Sequence, residues 1–248
     1  MRISVIGLGY VGCVSAACMA GSGHQVVGVD INNIKISAIQ NGKCPIIEPE
    51  LPELIAEAVE KGNLTATSDI REAVLNTEIS LICIGTPSRP NGSLNLSFVE
   101  KVSGEIGKVL KDKKENHTVV VRSTVLPGTT ENIVIPILEE SSGGNNGEDF
   151  SVIFNPEFLR EGKAIYDFYH PPRTVIGTLD KDSGKVVEDL FRGVEGPVVY
   201  TDLITAEMVK YSDNCFHALK VAFGNEIGRI CKIKGVDSRE LMKIFCMD

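Results

Sequence analysis

Residues 3 to 12 read Ile-Ser-Val-Ile-Gly7-Leu-Gly9-Tyr-Val-Gly12, an apolar run that breaks into glycines spaced Gly-x-Gly-x-x-Gly. The run has the make-up of a short buried strand, and Val11 to Ser22 read as a helix directly behind it. A chain turns from strand to helix in so few residues only through a tight turn, which Gly7 permits. Gly9 lets a pyrophosphate approach the backbone, and Gly12 lets helix and strand pack closely. The helix start offers free N–H groups and a partial positive charge, a seat for phosphate. A second apolar strand, Gln25–Val29, ends in Asp30. A carboxylate there accepts hydrogen bonds from ribose hydroxyls and repels a 2′-phosphate. Ile31 and Asn32 follow, with no arginine to receive that phosphate, so the pattern favours NAD over NADP.

The remaining chain continues the alternation. Strands are expected at Ile79–Ile84, Thr118–Arg122, Val152–Phe154, Thr174–Gly177 and Val198–Tyr200. Helices are expected at Ile34–Gln40, Leu51–Lys61, Leu96–Lys111, Thr129–Glu139 and Ser183–Arg192. The strands are near-continuous apolar runs, which a parallel sheet covered on both faces requires. The fold class is therefore α/β, a doubly wound, mostly parallel sheet. The Gly-rich loop Ser141–Asp149 is expected to separate two halves of that sheet. From Leu203 to Lys234 the pattern is one long helix, broken in character only by Gly224 and Gly228. Gly235 reads as its C′ residue, and Asp237 with Glu240 as a capping box opening a helix that Asp248 cuts short. These features divide the chain into 1–202, a dinucleotide-binding domain, and 203–248, the start of a helical domain, and mark it as a portion of a longer protein.

A formal net charge of −8 argues against nucleic acid or membrane surfaces as partners, both being anionic. No apolar stretch is long enough to span a bilayer. The N-terminal run lacks a cleavage-site region and is not read as a signal peptide. The 7 cysteines are scattered without a CxxC pair, which reads as buried reduced thiols in a cytoplasmic protein, with no metal site and no disulfide framework.

Several polar groups stand out against this background. Thr86 and Thr124 each follow a strand, where ligands bind in open sheets, although each also suits an N-cap or turn. Asn155-Pro-Glu157-Phe158-Leu159-Arg160-Glu161-Gly follows another strand. Were it helical, Glu157 and Glu161 would lie one turn apart with Arg160 beside them, either a site or a solvated face. On the long helix, Lys210, Asn214, His217 and Asn225 fall at i, i+4, i+7 and i+15 along one stripe. Lysine and asparagine one turn apart can both donate to an oxyanion. His217 by itself reads equally as a structural residue, and Gly224 with Gly228 would admit a second helix.

Together, Gly7–Gly12, Gly85-Thr-Pro87, Arg122-Ser-Thr-Val-Leu-Pro-Gly128, Asn155–Gly162 and the Lys210…Asn214 helix resemble the UDP-glucose/GDP-mannose dehydrogenase family over essentially the whole chain. The resemblance implies a four-electron oxidation of a sugar-nucleotide C6 alcohol to a uronic acid in polysaccharide biosynthesis. Two NAD are used, and the aldehyde is held on a cysteine. It implies a cofactor set of Gly7, Gly9, Tyr10, Val11, Gly12, Asp30, Lys35, Thr86 and Thr124. Glu161 is implied as the acid/base group near the hydrolytic water, with Thr124 helping to hold that water. Lys210 and Asn214 are implied as the oxyanion pair, and Glu157, Phe158, Leu159, Arg160, His217 and Asn225 as further sugar-side contacts. The wording around Thr86–Leu96 and His117–Pro127 is closer to the GDP-mannose branch than to the UDP-glucose branch. A homodimer through the long helix is expected.

One departure bears on mechanism. The family's Gly-Gly-Ser-Cys-like nucleophile segment is absent from these residues, so this portion is expected to bind NAD without turning over alone. Two other readings compete. A β-hydroxyacid dehydrogenase would share the dinucleotide start but leaves Asn155–Gly162 unexplained. A non-catalytic NAD-binding and dimerisation module would share everything but the chemistry.

Overall fold

The computed structural model describes residues 1–247. Eight strands form one sheet: β1 (Arg2–Ile6), β2 (Gln25–Val29), β3 (Leu64–Thr67), β4 (Ile79–Ile82), β5 (His117–Val121), β6 (Phe150–Phe154), β7 (Thr174–Gly177) and β8 (Val198–Thr201). Their order is β3-β2-β1-β4-β5-β6-β7-β8. Strands β1 to β6 all run parallel to one another. The chain moves outward from β1 in one direction and then restarts at β4 on its other side. That reversal leaves a crevice beyond the carboxyl ends of β1 and β4, where open α/β sheets bind ligands.

The sheet changes direction between β6 and β7, which meet in a single antiparallel pair, Phe154 with Gly177. The Gly-rich loop Ser141–Asp149 therefore does not separate two halves as expected. It leads into β6, which pairs with β5 over five residues from His117↔Phe150 to Val121↔Phe154. Its turns are closed by backbone bonds such as Gly147 N–H to Phe150 O, 2.7 Å.

The central helix, α1 (Tyr10–Gly21), is buried continuously from Gly12 to Ala20. Its small residues Ala16, Ala17 and Ala20 let it lie close to the sheet. It packs against α3 (Leu51–Glu60) and α7 (Ala164–Tyr169), so it needs no polar face. The other helices on the sheet are α2 (Asn33–Gln40), α4 (Ile70–Leu75), α5 (Ser97–Leu110), α6 (Ile135–Ser142) and α8 (Lys181–Leu190). The helix expected at Thr129–Glu139 begins instead as a π-helical turn, Thr130–Val134. Pro136, near the start of α6, has no N–H to continue a regular ladder. Glu207 reaches that turn: its carboxylate accepts from Gly128 N at 2.5 Å, and from Thr130 N and Oγ1 at 2.8 and 2.6 Å.

Helix α9 runs from Leu203 to Lys234, as expected, and α10 from Ser238 to Phe245. Residues Met1–Met208 form one compact unit and a second begins at Val209. Asp237 caps α10 by accepting from Arg239 N and Glu240 N. Among the described residues that helix ends at Phe245, and Asp248 lies outside them. Among the described residues no helix is long and apolar enough to cross a membrane, and no cluster of His, Cys, Asp and Glu is arranged to hold a metal. The expectation of uniformly buried thiols needs correction: Cys13, Cys18, Cys83 and Cys231 are buried, but Cys215 and Cys246 on the second unit are exposed.

Candidate functional site

The three glycines of the first turn have three different surroundings. Gly7 has φ +99°, and a Cβ there would stand 2.7 Å from the Cys83 carbonyl oxygen. A Cβ on Gly12 would stand 1.7 Å from the Gly7 carbonyl oxygen, so the first turn of α1 rests on the β1 turn itself. A Cβ on Gly9 would meet nothing within 4 Å. Gly7 and Gly12 are thus fixed by the fold, while Gly9 faces open space at the N-cap of α1. No side chain caps that helix start, so its first N–H groups remain available to an anion.

Asp30 is held ready beside this turn. Its carboxylate accepts from Leu8 N and from Asn32 N, each at 2.8 Å. The Lys35 ammonium lies 3.6 Å away. The far wall of the cleft comes from the chain after β4 and β5, where Cys83, Ile84, Gly85, Thr86, Ser123 and Thr124 face Gly9, Tyr10 and Val11. Thr86 Oγ1 donates to the Thr124 carbonyl at 2.6 Å, tying those two loops together. Neither threonine is a helix cap. Burial pushes the Cys83 thiol up to about 12, so this cleft cysteine presents no thiolate at neutral pH.

The segment after β6 is not a helix. Asn155–Arg160 is irregular, Glu161–Gly162 form a turn, and Gly162 has φ +82°. Pro156 disfavours helical geometry at Asn155. The Asn155 side chain is also committed: it donates to the Val175 carbonyl at 2.8 Å and accepts from the buried Arg122 guanidinium. Arg122 also donates to Ser15 Oγ at 3.2 Å and lies over the Phe191 ring at 5.6 Å. Glu157 and Glu161 consequently do not share a helical face. Glu157 is buried, and its carboxylate accepts from Leu159 N at 2.8 Å, whereas Glu161 is exposed. The Phe158 ring stacks under Arg173 at 4.5 Å. Arg160 grips Asp167 through its own N–H and both arms of its guanidinium, at 2.9, 2.9 and 2.6 Å. That grip outweighs the upward push of partial burial and leaves the Asp167 carboxyl below its usual range.

In the second unit, Lys210 is buried, while Asn214, His217 and Asn225 are exposed along α9. A Cβ at Gly224 or Gly228 would meet nothing within 4 Å. Exposed apolar side chains, among them Phe216, Leu219, Phe223 and Ile230, share this stretch of helix.

Residues 1–195 match the NAD binding domain of the UDP-glucose/GDP-mannose dehydrogenase family, and residues 204–248 match its central domain. The chain belongs to this family. It is 56% identical over all 248 residues to GDP-mannose 6-dehydrogenase of Azotobacter vinelandii, spanning 57% of that protein. The solved ternary complex of GDP-mannose dehydrogenase from Pseudomonas aeruginosa superposes with a TM-score of 0.98 at 51% identity, covering all of this chain and 57% of that one. A UDP-glucose dehydrogenase from Pyrobaculum islandicum superposes with a TM-score of 0.94 at 41% identity, covering 99% of this chain and 56% of that one. The chain thus spans a little over half the length of these relatives. The cleft over β1 and β4 lies within the family's NAD binding domain.

Four buried ionic residues of this family member escape the reading of its sequence: Glu48, Arg122, Asp167 and Glu207. Arg122 stands there only as the end of a strand and the first residue of the Arg122–Gly128 motif, and Glu48, Asp167 and Glu207 are not singled out. The Glu48 carboxylate accepts from Tyr10 Oη at 2.7 Å and from the backbone of Gly162 and Ala164, each at 2.8 Å. Burial and the Glu48 contact together raise the Tyr10 phenol well above its ordinary range. The one available signal was a glutamate between two prolines in an apolar stretch, Pro45-Ile-Ile-Glu48-Pro49.

Proposed function

We propose that this chain is the NAD-binding portion of an NAD-dependent sugar-nucleotide 6-dehydrogenase that converts GDP-mannose to GDP-mannuronate. The observation that carries the reading is the open cradle at Gly9, with uncapped N–H groups on one side and the pinned Asp30 carboxylate on the other. This geometry suits a dinucleotide with a free ribose diol. The GDP-mannose assignment is supported by identities of 51–56% to GDP-mannose 6-dehydrogenases, against 34–41% to UDP-glucose dehydrogenases.

Bound NAD would accept the two electrons of each oxidation. Gly9, Tyr10 and Val11 would seat the pyrophosphate, and Asp30 with Lys35 would hold the ribose. Thr86 and Thr124 would close the opposite wall. Lys210 and Asn214 would donate to the C6 oxygen as it gains negative charge. After the first oxidation a cysteine thiol adds to the aldehyde, and the second oxidation leaves a thioester. Water, placed by Glu161 and Thr124, then releases the carboxylic acid and returns the thiol. Glu157, Phe158, Leu159, Arg160, His217 and Asn225 would contact the sugar side. Asp167 would hold Arg160 in place for this through both its backbone N–H and its guanidinium. We place the reactive thiol outside these 248 residues, none of whose cysteines has the Gly-Gly-Ser-Cys-like setting. The exposed apolar residues of α9 support a homodimer, and the seven unpaired cysteines support a cytoplasmic setting.

The experiment that tests the substrate is a comparison of kcat/KM on the chain joined to its downstream sequence. GDP-mannose is expected to exceed UDP-glucose by about 100-fold or more, a difference of roughly 3 kcal/mol in transition-state binding. The reverse ratio would move the protein to the UDP-glucose branch. No turnover on either substrate, from a folded protein that binds NAD, would favour a non-catalytic binding module.

A further inference from the structure

Glu48 lies in the loop between α2 and α3, yet all three of its hydrogen bonds go elsewhere. One carboxylate oxygen takes the Tyr10 hydroxyl and the Gly162 N–H; the other takes the Ala164 N–H. The side chain is 4% exposed and no cation pairs with it among the described salt bridges. Burial alone would raise its pKa, but the three donors outweigh it and hold the group ionised. An ionised carboxylate this deep persists only where its donors are fixed, so the three partners are held as one rigid unit.

The partners belong to two functional segments. Tyr10 opens α1 at the phosphate turn and lines the nucleotide cleft. Gly162 and Ala164 bracket the turn that follows Glu161. The Tyr10 hydroxyl also lies 3.4 Å from the Arg160 carbonyl, and the Arg160 N–H is tied to Asp167. The strap from Arg160 to Ala164 is thus anchored at one end by its own helix α7. At the other it is anchored by a carboxylate that simultaneously holds the cofactor turn.

We propose that Glu48 is a positioning residue that couples occupation of the cofactor cleft at Tyr10 to the placement of the Glu161 turn. Nucleotide seated against Tyr10 tightens the Tyr10–Glu48 contact, and the same carboxylate then holds Gly162 and Ala164 more firmly. The turn that carries Glu161 is thereby held more firmly when the cofactor is present. The inference rests on the reading of Tyr10 as a cofactor contact and of Glu161 as the acid/base group.

The test is amide hydrogen exchange of residues 160–166 with and without NAD, in the chain joined to its downstream sequence. Wild type is compared with Tyr10→Phe and Glu48→Gln. Phenylalanine keeps the ring and removes the hydroxyl, with its bond to Glu48 and its longer contact with the Arg160 carbonyl. Glutamine must turn its NH2 toward at least one of the three donors. NAD is expected to slow exchange in wild type by about fivefold or more, and by less than about twofold in either variant. In Glu48→Gln, NAD affinity should stay within about threefold, and kcat should fall about tenfold without a matching rise in KM for NAD. Equal slowing in Tyr10→Phe and wild type would overturn the proposal, and this variant decides the matter should Glu48→Gln fail to fold. The two readings separate cleanly. A wild type that shows the exchange pattern but oxidises no sugar nucleotide keeps the coupling and removes the role of Glu161. One that oxidises GDP-mannose with no NAD-dependent slowing does the opposite.

Discussion

Replacing Gly9 by alanine is expected to leave the fold intact and weaken NAD binding, whereas replacing Gly12 by alanine should unsettle the fold itself. The difference follows from what each new Cβ would meet. At Gly9 there is nothing within 4 Å and the backbone φ is −76°, which any residue accepts. The methyl group points into the open space where we propose the pyrophosphate sits, so its cost is expected only with ligand. We expect a rise in Kd of about tenfold or more, equivalent to at least ~1.4 kcal/mol, with stability changed by less than about 1 kcal/mol. At Gly12 the methyl would stand 1.7 Å from a backbone oxygen, and backbone cannot rotate away as a side chain can. Overpacking against a rigid neighbour costs about 3 kcal/mol or more. In a domain of this size that lowers Tm by roughly 6–12 °C. Thermal unfolding and NAD titration of the two variants give this contrast directly. Equal losses of stability at both positions would contradict it.

The second large effect concerns acid stability. His117 opens β5 in the middle of the sheet, 1% exposed, with its ring Nε2 at 2.8 Å from Ser80 Oγ. Ser80 bonds Ser4 at 2.7 Å, and Thr77 donates to Ser4 at 3.2 Å, so a row of hydroxyls crosses β4 and β1 behind it. Burial first, and then the charge of Lys113, lower its pKa to about 3. An unfolded histidine titrates near 6.5. The native state therefore holds this ring neutral while the unfolded chain takes up a proton. The associated stability is complete above about pH 6.5 and is lost as pH falls toward 3. The slope is about 1.4 kcal/mol per pH unit, or roughly 2 kcal/mol between pH 6.5 and 5, before most carboxylates titrate. Denaturant unfolding over that interval should show this slope in wild type and a flatter one, by about one proton, in His117→Gln. Identical slopes would place the ring in contact with water.

How far the sequence anticipates this structure depends on how local each signal is. Strands β2 and β7 and helix α9 match their expected bounds, because each is a continuous apolar or helical run that needs no partner to be recognised. Strand β3 was missed. It is four residues, Leu-Thr-Ala-Thr, at the sheet edge, buried only at alternate positions, and too short to display a period. Helices α4 and α7 are six residues each and fail for the same reason. The segment after β6 shows a different limit. A helix there is compatible with spacing alone, but Asn155 is drawn into the core by Arg122 and Val175, and those contacts come from 33 and 20 residues away.

The site divides along the same line. The glycine turn and Asp30 were legible because their geometry is set within one β-α-β unit. Thr86 and Thr124 could be placed near the cleft, but not joined, since their hydrogen bond links loops 38 residues apart. Glu48 contacts Gly162 across 114 residues of chain, and a lone glutamate between prolines carries no sign of that. Its importance emerges only when the fold brings the cofactor turn and the Glu161 turn to the same carboxylate.

The central claim is a four-electron oxidation begun in this cleft, and its most direct test is stoichiometry. The chain joined to its downstream sequence would be supplied with limiting GDP-mannose and excess NAD, with NADH and sugar products both quantified. The account predicts two NADH for each GDP-mannose consumed, with the uronic acid as the accumulating product. One NADH per sugar with a free aldehyde, or oxidation that proceeds equally well with NADP and yields NADPH, would contradict it.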